Sequence, residues 1–114
     1  MANTFKQFTL TNVTSQTTLY TAGSGVSAIV LSLMLANTTS GDATVTVEVG
    51  SDTAARTGAN DTANVTTNIV HSATVSGNNT LEVVTNKLVL EASDTLKITS
   101  NAALNVSASI MEIT

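Results

Sequence analysis

"KLVLEASDTLKITS", residues 87–100, carries two apolar alternations around a polar tetrad: Leu88 and Leu90 come before Glu91-Ala92-Ser93-Asp94, Leu96 and Ile98 after it. A period of two sends successive side chains to opposite faces of a pleated strand, so this stretch predicts two short strands and a turn. Asp94 stands where a turn carboxylate accepts hydrogen bonds from nearby backbone N–H groups.

The same rhythm extends outward. Phe8 and Leu10 alternate in a first strand, and Leu19 marks a second near 17–21, before Ala22-Gly23-Ser24-Gly25 interrupts the chain as a flexible turn. "VSAIVLSLMLA" (26–36) places Ile29, Leu31, Leu33 and Leu35 on one face and Val30 and Met34 on the other, as expected of a strand that is central or covered by a partner. Turn residues fill 37–42, and "ATVTVEV" (43–49) then alternates cleanly with its valines inward, so 26–36 and 43–49 are expected to pair as a hairpin. In "VTTNIVHSATV" (65–75) Ile69, His71, Ala73 and Val75 share the inward phase, and further strands are expected at 80–84, 87–91 and 95–99. In "LNVSASIMEIT" (104–114) the alternation runs through Leu104, Val106, Ala108 and Ile110. Met111 and Ile113 then fall out of phase, which predicts a bulge or an exit from the sheet near 110–112.

Eight or nine short strands without a 3.6-residue period predict an all-β chain, an antiparallel β-sandwich of jelly-roll or Ig-like type, as a single domain over 1–114. No repeat of fixed period supports a solenoid. Residues 50–64, "GSDTAARTGANDTAN", contain no large apolar side chain and predict a long mobile loop, of a length usually tied to function.

Composition narrows the role. Apolar residues make up 42% of the 114, enough for one packed core, whereas charged residues are 11% against roughly 25% in an average domain. The polar surface therefore rests on 22 Thr, 12 Ser and 11 Asn. Net charge is −4, with Lys6, Arg56, Lys87 and Lys97 dispersed, so no basic cluster exists to neutralise phosphates and nucleic-acid binding is not expected. Without Cys there is neither disulfide nor thiolate metal site. The eleven-residue apolar run at 26–36 is too short to span a bilayer as a helix, and "MANTFKQFTL" has no signal-type apolar run, so no membrane role is expected and the chain reads as made in the cytoplasm.

Chemistry-bearing residues are sparse. His71, the one histidine, is read as a structural or interface residue. The eight carboxylates form no D-x-D-x-D run; Asp52 and Asp61 share the long loop and are read as solvated rather than as Ca²⁺ ligands. "GSG" (23–25) lacks the context of a phosphate cradle. Six N-x-[ST] tripeptides follow from the Asn/Thr/Ser richness. Phe5 and Phe8 are read as core or inter-subunit contacts, and Arg56, with Asp52 and Asp61, as possible contacts to a partner. Neither an enzyme nor a cofactor is expected.

"MANTFK" (1–6), "TTLYTAGSGVSAIVLSLMLAN" (17–37), "ATVTVEV" and the ending "KLVLEASDTLKITSNAALNVSASIMEIT" (87–114) resemble a family of small β-sandwich virion proteins of tailed bacteriophages, of the marine and cyanobacterial type. The resemblance covers most of the chain apart from 51–80 and rests on strand texture. The chain departs from the family in having "AGSG" where a Pro-containing turn is common, and Ser93-Asp94 where Gly-Asp is common. The resemblance implies a particle component, foremost a capsid decoration or cement protein. Such a protein is made in the host cytoplasm, displayed on the particle surface and bound to the major capsid protein or another virion protein, and it forms a homodimer or homotrimer. A tail, neck or fibre component is the second expectation, and a carbohydrate-binding module using polar loops the third.

Overall fold

The computed structural model describes residues 2–51, 65–84 and 86–114, and among them the secondary structure is nine β-strands. These are β1 (Asn3–Val13), β2 (Thr17–Thr21), β3 (Ser27–Asn37), β4 (Ala43–Ser51), β5 (Val65–Val75), β6 (Thr80–Val84), β7 (Leu88–Leu90), β8 (Thr95–Ser100) and β9 (Leu104–Ile113). They form two antiparallel sheets. Sheet A has the order β1-β9-β3-β6, with β7 in line with β6 along the same side of β3, and sheet B the order β2-β8-β4-β5.

This order decides between the two sandwich types. The first strand pairs with the last, and the chain passes between sheets at almost every turn; only β4 and β5 are consecutive strands that pair with each other. That is the winding of a jelly roll rather than of an Ig-like sandwich. The stretch at 87–100 does form two strands and a turn, but β7 belongs to sheet A and β8 to sheet B. The turn is held as its side chains predict: Asp94 Oδ2 accepts from Glu91 N (3.0 Å), and Ser93 takes a left-handed φ of 69°. Gly25, at φ 71°, closes the turn after β2 in the same conformation.

The core lies between the sheets. Leu33 and Leu35 of β3, Val45 and Val47 of β4, Leu96 and Ile98 of β8, and Leu104, Val106 and Ile110 of β9 are all buried. Each such side chain contributes about 1.5–3 kcal/mol by leaving water.

Five sequence expectations are corrected. Strands β3 and β4 are not a hairpin: β3 pairs with β9, β6 and β7, and β4 with β5 and β8. A turn signal tells where a chain bends, not whether the flanking strands stay in one sheet. Here Asn37 ties the bend across the end of the sandwich: its Nδ2 donates to Gly41 O (2.7 Å) and to Val75 O (2.9 Å).

The single apolar face expected for 26–36 is split. Val30 pairs with Ile110 and Ser32 with Ser109, so Leu31 is an extra residue, a β-bulge. Ahead of it Ala28 and Val30 point inward and Ile29 outward; beyond it Leu33 and Leu35 point inward and Met34 outward. The phase of β9, by contrast, does not slip near 110–112. Its register with β1 is unbroken from Asn3↔Ile113 to Leu10↔Val106.

In β5, two register breaks against β4 flank Val70, so Val75 is buried while Ile69 and His71 are exposed. Ser72, at φ 50°, sits in the first break and donates its N–H to Thr46 Oγ1 (3.1 Å). Finally, Gly50 and Ser51, expected in the loop, belong to β4, where they pair with Thr66 and Val65. The rest of the expected loop, 52–64, lies outside the described residues.

Candidate interaction surface

On an antiparallel sheet, residues directly opposite one another point to the same face. Phe5 lies opposite Met111, Met111 opposite Ile29, and Ile29 opposite Val89, so four apolar side chains form one row across all of sheet A. Their sequence neighbours Val30, Leu90 and Ile110 are buried, which places the row on the outer face. Phe5 is 71% exposed and Val89 61% exposed; Ile29 and Met111 are half-buried. The only charged residues of β1, β3 and β9 are Lys6 and Glu112. Both face inward, opposite Ile110 and Ala28 respectively, so these three strands present no ionised side chain to the outside. Above the row, the same face holds a groove of about 490 Å³ lined by Thr9, Thr11, Met34, Thr80, Asn105 and Ser107 among others.

The inward charges close one end of the sandwich. Lys6 Nζ lies 2.7 Å from Glu112 Oε1, and the hydroxyl of Tyr20, a buried residue of β2, donates to Glu112 Oε2 (2.5 Å). One carboxylate thus links sheet A to sheet B. Phe8 packs edge-on against Tyr20, with ring centroids 4.9 Å apart. The Lys6 ammonium and the Tyr20 hydroxyl hold the Glu112 carboxyl below the usual glutamate range. Burial and the hydrogen bond to Glu112 push the Tyr20 phenol well above its ordinary value.

The two shifts act at opposite ends of the pH scale. A depressed carboxyl pKa in the fold means that its stabilisation is complete above the unfolded pKa and is lost as pH falls through the folded one. A raised phenol pKa means that stability is lost as pH climbs past the ordinary tyrosine value. The Glu112→Gln variant is expected to melt lower at neutral pH, by about 1–2 kcal/mol. It should also lose part of the fall in melting temperature below about pH 4.5. Parallel thermal melts of both proteins across that range check this.

The structure separates the residues singled out from the sequence. Phe5 faces outward in the row, whereas Phe8 turns inward against Tyr20. Asp52, Arg56 and Asp61 lie outside the described residues. His71 is exposed, and its Nδ1 lies 3.1 Å from Asn68 Nδ2. Among the described residues no three His, Cys, Asp or Glu gather as a metal site would require, and no helix is long and apolar enough to cross a membrane. Sequence reasoning missed Ile29, Met111 and Val89 as a row, and Lys6, Tyr20 and Glu112 as a link. The signal was the end of β9: in "IMEI" the outward residues, Met111 and Ile113, are apolar and an acid, Glu112, follows Ile110 on the inward face.

No protein-family model matches the sequence, and no curated protein matches it. Solved structures do. A chain in the crystal structure of the viral particle of infectious bursal disease virus superposes with a TM-score of 0.59 at 9% identity, over 96% of this chain and 30% of that one. The VP2 subviral particle of the same virus gives 0.53 at 13% identity, over 96% and 32%. A structure of Bacillus endospore appendages, described as a family of disulfide-linked pili, gives 0.51 at 14% identity, over 97% and 84%. The chain thus spans about a third of the length of the viral chains it matches. At these identities the likeness is one of fold.

Proposed function

We propose that this chain is a non-catalytic structural part of a virus particle. Within that class we infer a decoration or cement protein on the capsid of a tailed bacteriophage, bound to the major capsid protein and stabilising the shell. The observation that carries this reading is the apolar row from Phe5 to Val89 on the outer face of sheet A, where β1, β3 and β9 carry no ionised side chain. Exposed apolar side chains gathered on one face mark a contact surface, and a row without ions avoids the cost of desolvating them. The sandwich shared with chains of viral particles and the family resemblance of the strand segments support the same reading. Many copies on a lattice let weak individual contacts hold, and binding only the mature shell stabilises it by mass action.

The test is rebinding of purified protein to capsids stripped of it. The wild-type chain is expected to bind and to raise the capsid melting temperature. A Phe5→Ser, Val89→Ser double variant, folded as the wild type by circular dichroism, is expected to bind about tenfold or more weakly. Equal binding by the double variant would remove sheet A from the contact, and no binding by the wild type would remove the decoration role. A specific observation favours a tail or fibre-associated part as the second reading: the same fold covers 84% of a chain from pilus-forming appendages. Copy number per particle separates the two, with hundreds pointing to the shell and a dozen or fewer to the tail.

A further inference from the structure

Strand β1 is fastened unevenly. From Phe8 onward it has apolar anchors: Phe8 and Leu10 are half-buried against the core and Val13 is buried. Ahead of Phe8, the residues Asn3, Thr4, Phe5, Lys6 and Gln7 are all exposed. This half pairs with β9, in a ladder carried on by the backbone bonds between Ala2 and Thr114. Exposed backbone hydrogen bonds exchange for water at small net cost, and a segment with few buried apolar contacts opens ahead of the rest of a fold. Among the described residues the side chains of this half make one polar tie, the 2.7 Å pair of Lys6 Nζ and Glu112 Oε1.

Glu112 is placed to work as the catch. It stands on β9 between Thr4 of β1 and Ala28 of β3, faces inward, and accepts from the Tyr20 hydroxyl of β2 with its second oxygen. The carboxylate thus has a fixed side and a movable side. Tyr20 is buried and the Glu112 side chain is 14% exposed, whereas the Lys6 side chain is 46% exposed and belongs to the exposed half-strand. Water and protons reach the pair from that side. The polar groups that meet Glu112 are Lys6 from β1 and Tyr20 from β2; β3 brings Ala28. Strand β8 turns Leu96 and Ile98 inward, while Lys97 lies on the outer face opposite Glu48 and Thr18. Among the described residues Lys6 is paired with no other carboxylate.

We propose that Glu112 is a positioning residue that latches the N-terminal half of β1, and that its protonation frees residues 3–7 while the two sheets otherwise stay closed. A neutral carboxyl loses the attraction of the Lys6 ammonium but still shares a hydrogen bond with Tyr20, so β9 and β2 remain joined. Lys6 favours the ionised carboxyl only while β1 is in place. The latch is therefore complete above the usual glutamate range and lets go as pH falls through the depressed folded value. Phe5 lies in the half that is released, so acid withdraws one end of the row that runs to Val89. That consequence for shell contact rests on the function proposed above. The opening itself is a property of the free protein, so it stands or falls apart from capsid rebinding.

Backbone hydrogen exchange of the full chain, expressed as protection relative to an unfolded chain, tests this from about pH 6 to about pH 3. In the wild type, protection of the ladder amides of residues 3–7 is expected to fall about three- to tenfold over that range, a modest step because a half-exposed ion pair is screened. At the acid end β3 and β8 should remain at least about a hundredfold better protected than these residues. Low urea should speed exchange in β3 and β8 but not in residues 3–7, as a local opening requires. The Glu112→Gln variant should show the low protection of residues 3–7 already at about pH 6, with no further acid step. Tyr20→Phe keeps its ring against Phe8 but removes a hydroxyl that favours the ionised carboxyl, so its step should move to higher pH. Residues 3–7 equally protected at both pH values, or exchanging together with β3 and β8, would overturn the proposal, and these readings need no variant. An acid step that persists in Glu112→Gln, or that stays in place in Tyr20→Phe, would overturn it too.

Discussion

Replacing Asn37 by alanine is expected to lower the unfolding free energy by about 3 kcal/mol, among the larger losses a single substitution produces. Asn37 is 3% exposed and its side chain makes four hydrogen bonds. Its Nδ2 donates to Gly41 O and Val75 O, while its Oδ1 accepts from Thr39 N (2.9 Å) and Thr39 Oγ1 (2.7 Å). Alanine strands the buried Val75 carbonyl and frees the bend that carries the chain from β3 to β4. Water reaches the exposed side of Gly41 and recovers part of the loss, which keeps the figure below the sum of four buried bonds. For a domain of this size the melting temperature should fall by about 10 °C or more. Asn37→Asp separates the causes. It keeps an acceptor for Thr39 but removes both donors and sets a carboxylate against two carbonyls, so it should cost at least as much as alanine.

The second large effect is expected at Gly77. A Cβ built there falls well inside contact with the carbonyl of Ser40 and 3.1 Å from Gly41 N. These are backbone atoms, so no side-chain rotation relieves the clash. The turn at 76–79 would have to lift off the bend at 38–41, straining the bonds from Asn78 N to Thr39 O and from Asn37 N to Asn79 O, both 2.9 Å. Gly77→Ala is therefore expected to cost about 2–3 kcal/mol in urea unfolding. Gly41→Ala, with open space around its Cβ, should stay within about 0.5 kcal/mol of the wild type. Asn37 and Gly77 secure the same junction, so the losses of the double variant should fall short of additive, once the junction has opened.

Strand positions were legible from the sequence because burial imposes a period of two. β2 at 17–21 and the inward valines of β4 follow directly from alternation, and turns such as 91–94 declare themselves through Asp chemistry. Pairing was less legible, since alternation specifies faces but not neighbours. Thus the same residues of β3 and β4 fit a hairpin and a crossing between sheets equally well, and it is the side chain of Asn37, reaching Val75, that distinguishes them. Bulges were hidden for a related reason. An extra residue at Leu31 leaves the run 26–36 uniformly apolar while exchanging its faces. In β9 the same logic misled in reverse: Met111 and Glu112 look like a slip, but they are an apolar residue facing out and an acid facing in, bound to Lys6 and Tyr20. The row from Phe5 to Val89 draws on four strands that lie far apart in the chain, and no local pattern reveals it.

The pairing of Asn3 with Ile113 bears on how the molecule comes into being. Among the described residues strand β1 has a single neighbour in its sheet, and that neighbour, β9, comes about ninety residues later in the chain than β1; it also lies between β1 and β3. Until residues 104–113 have emerged, the earlier strands of this sheet hang without their central support, and sheet B has only part of a surface to close upon. Closure of this sheet must therefore wait for residues 104–113, through a slow search among distant segments. During that delay the nascent polypeptide displays sticky, sparsely charged ribbons that a crowded cell has to keep apart.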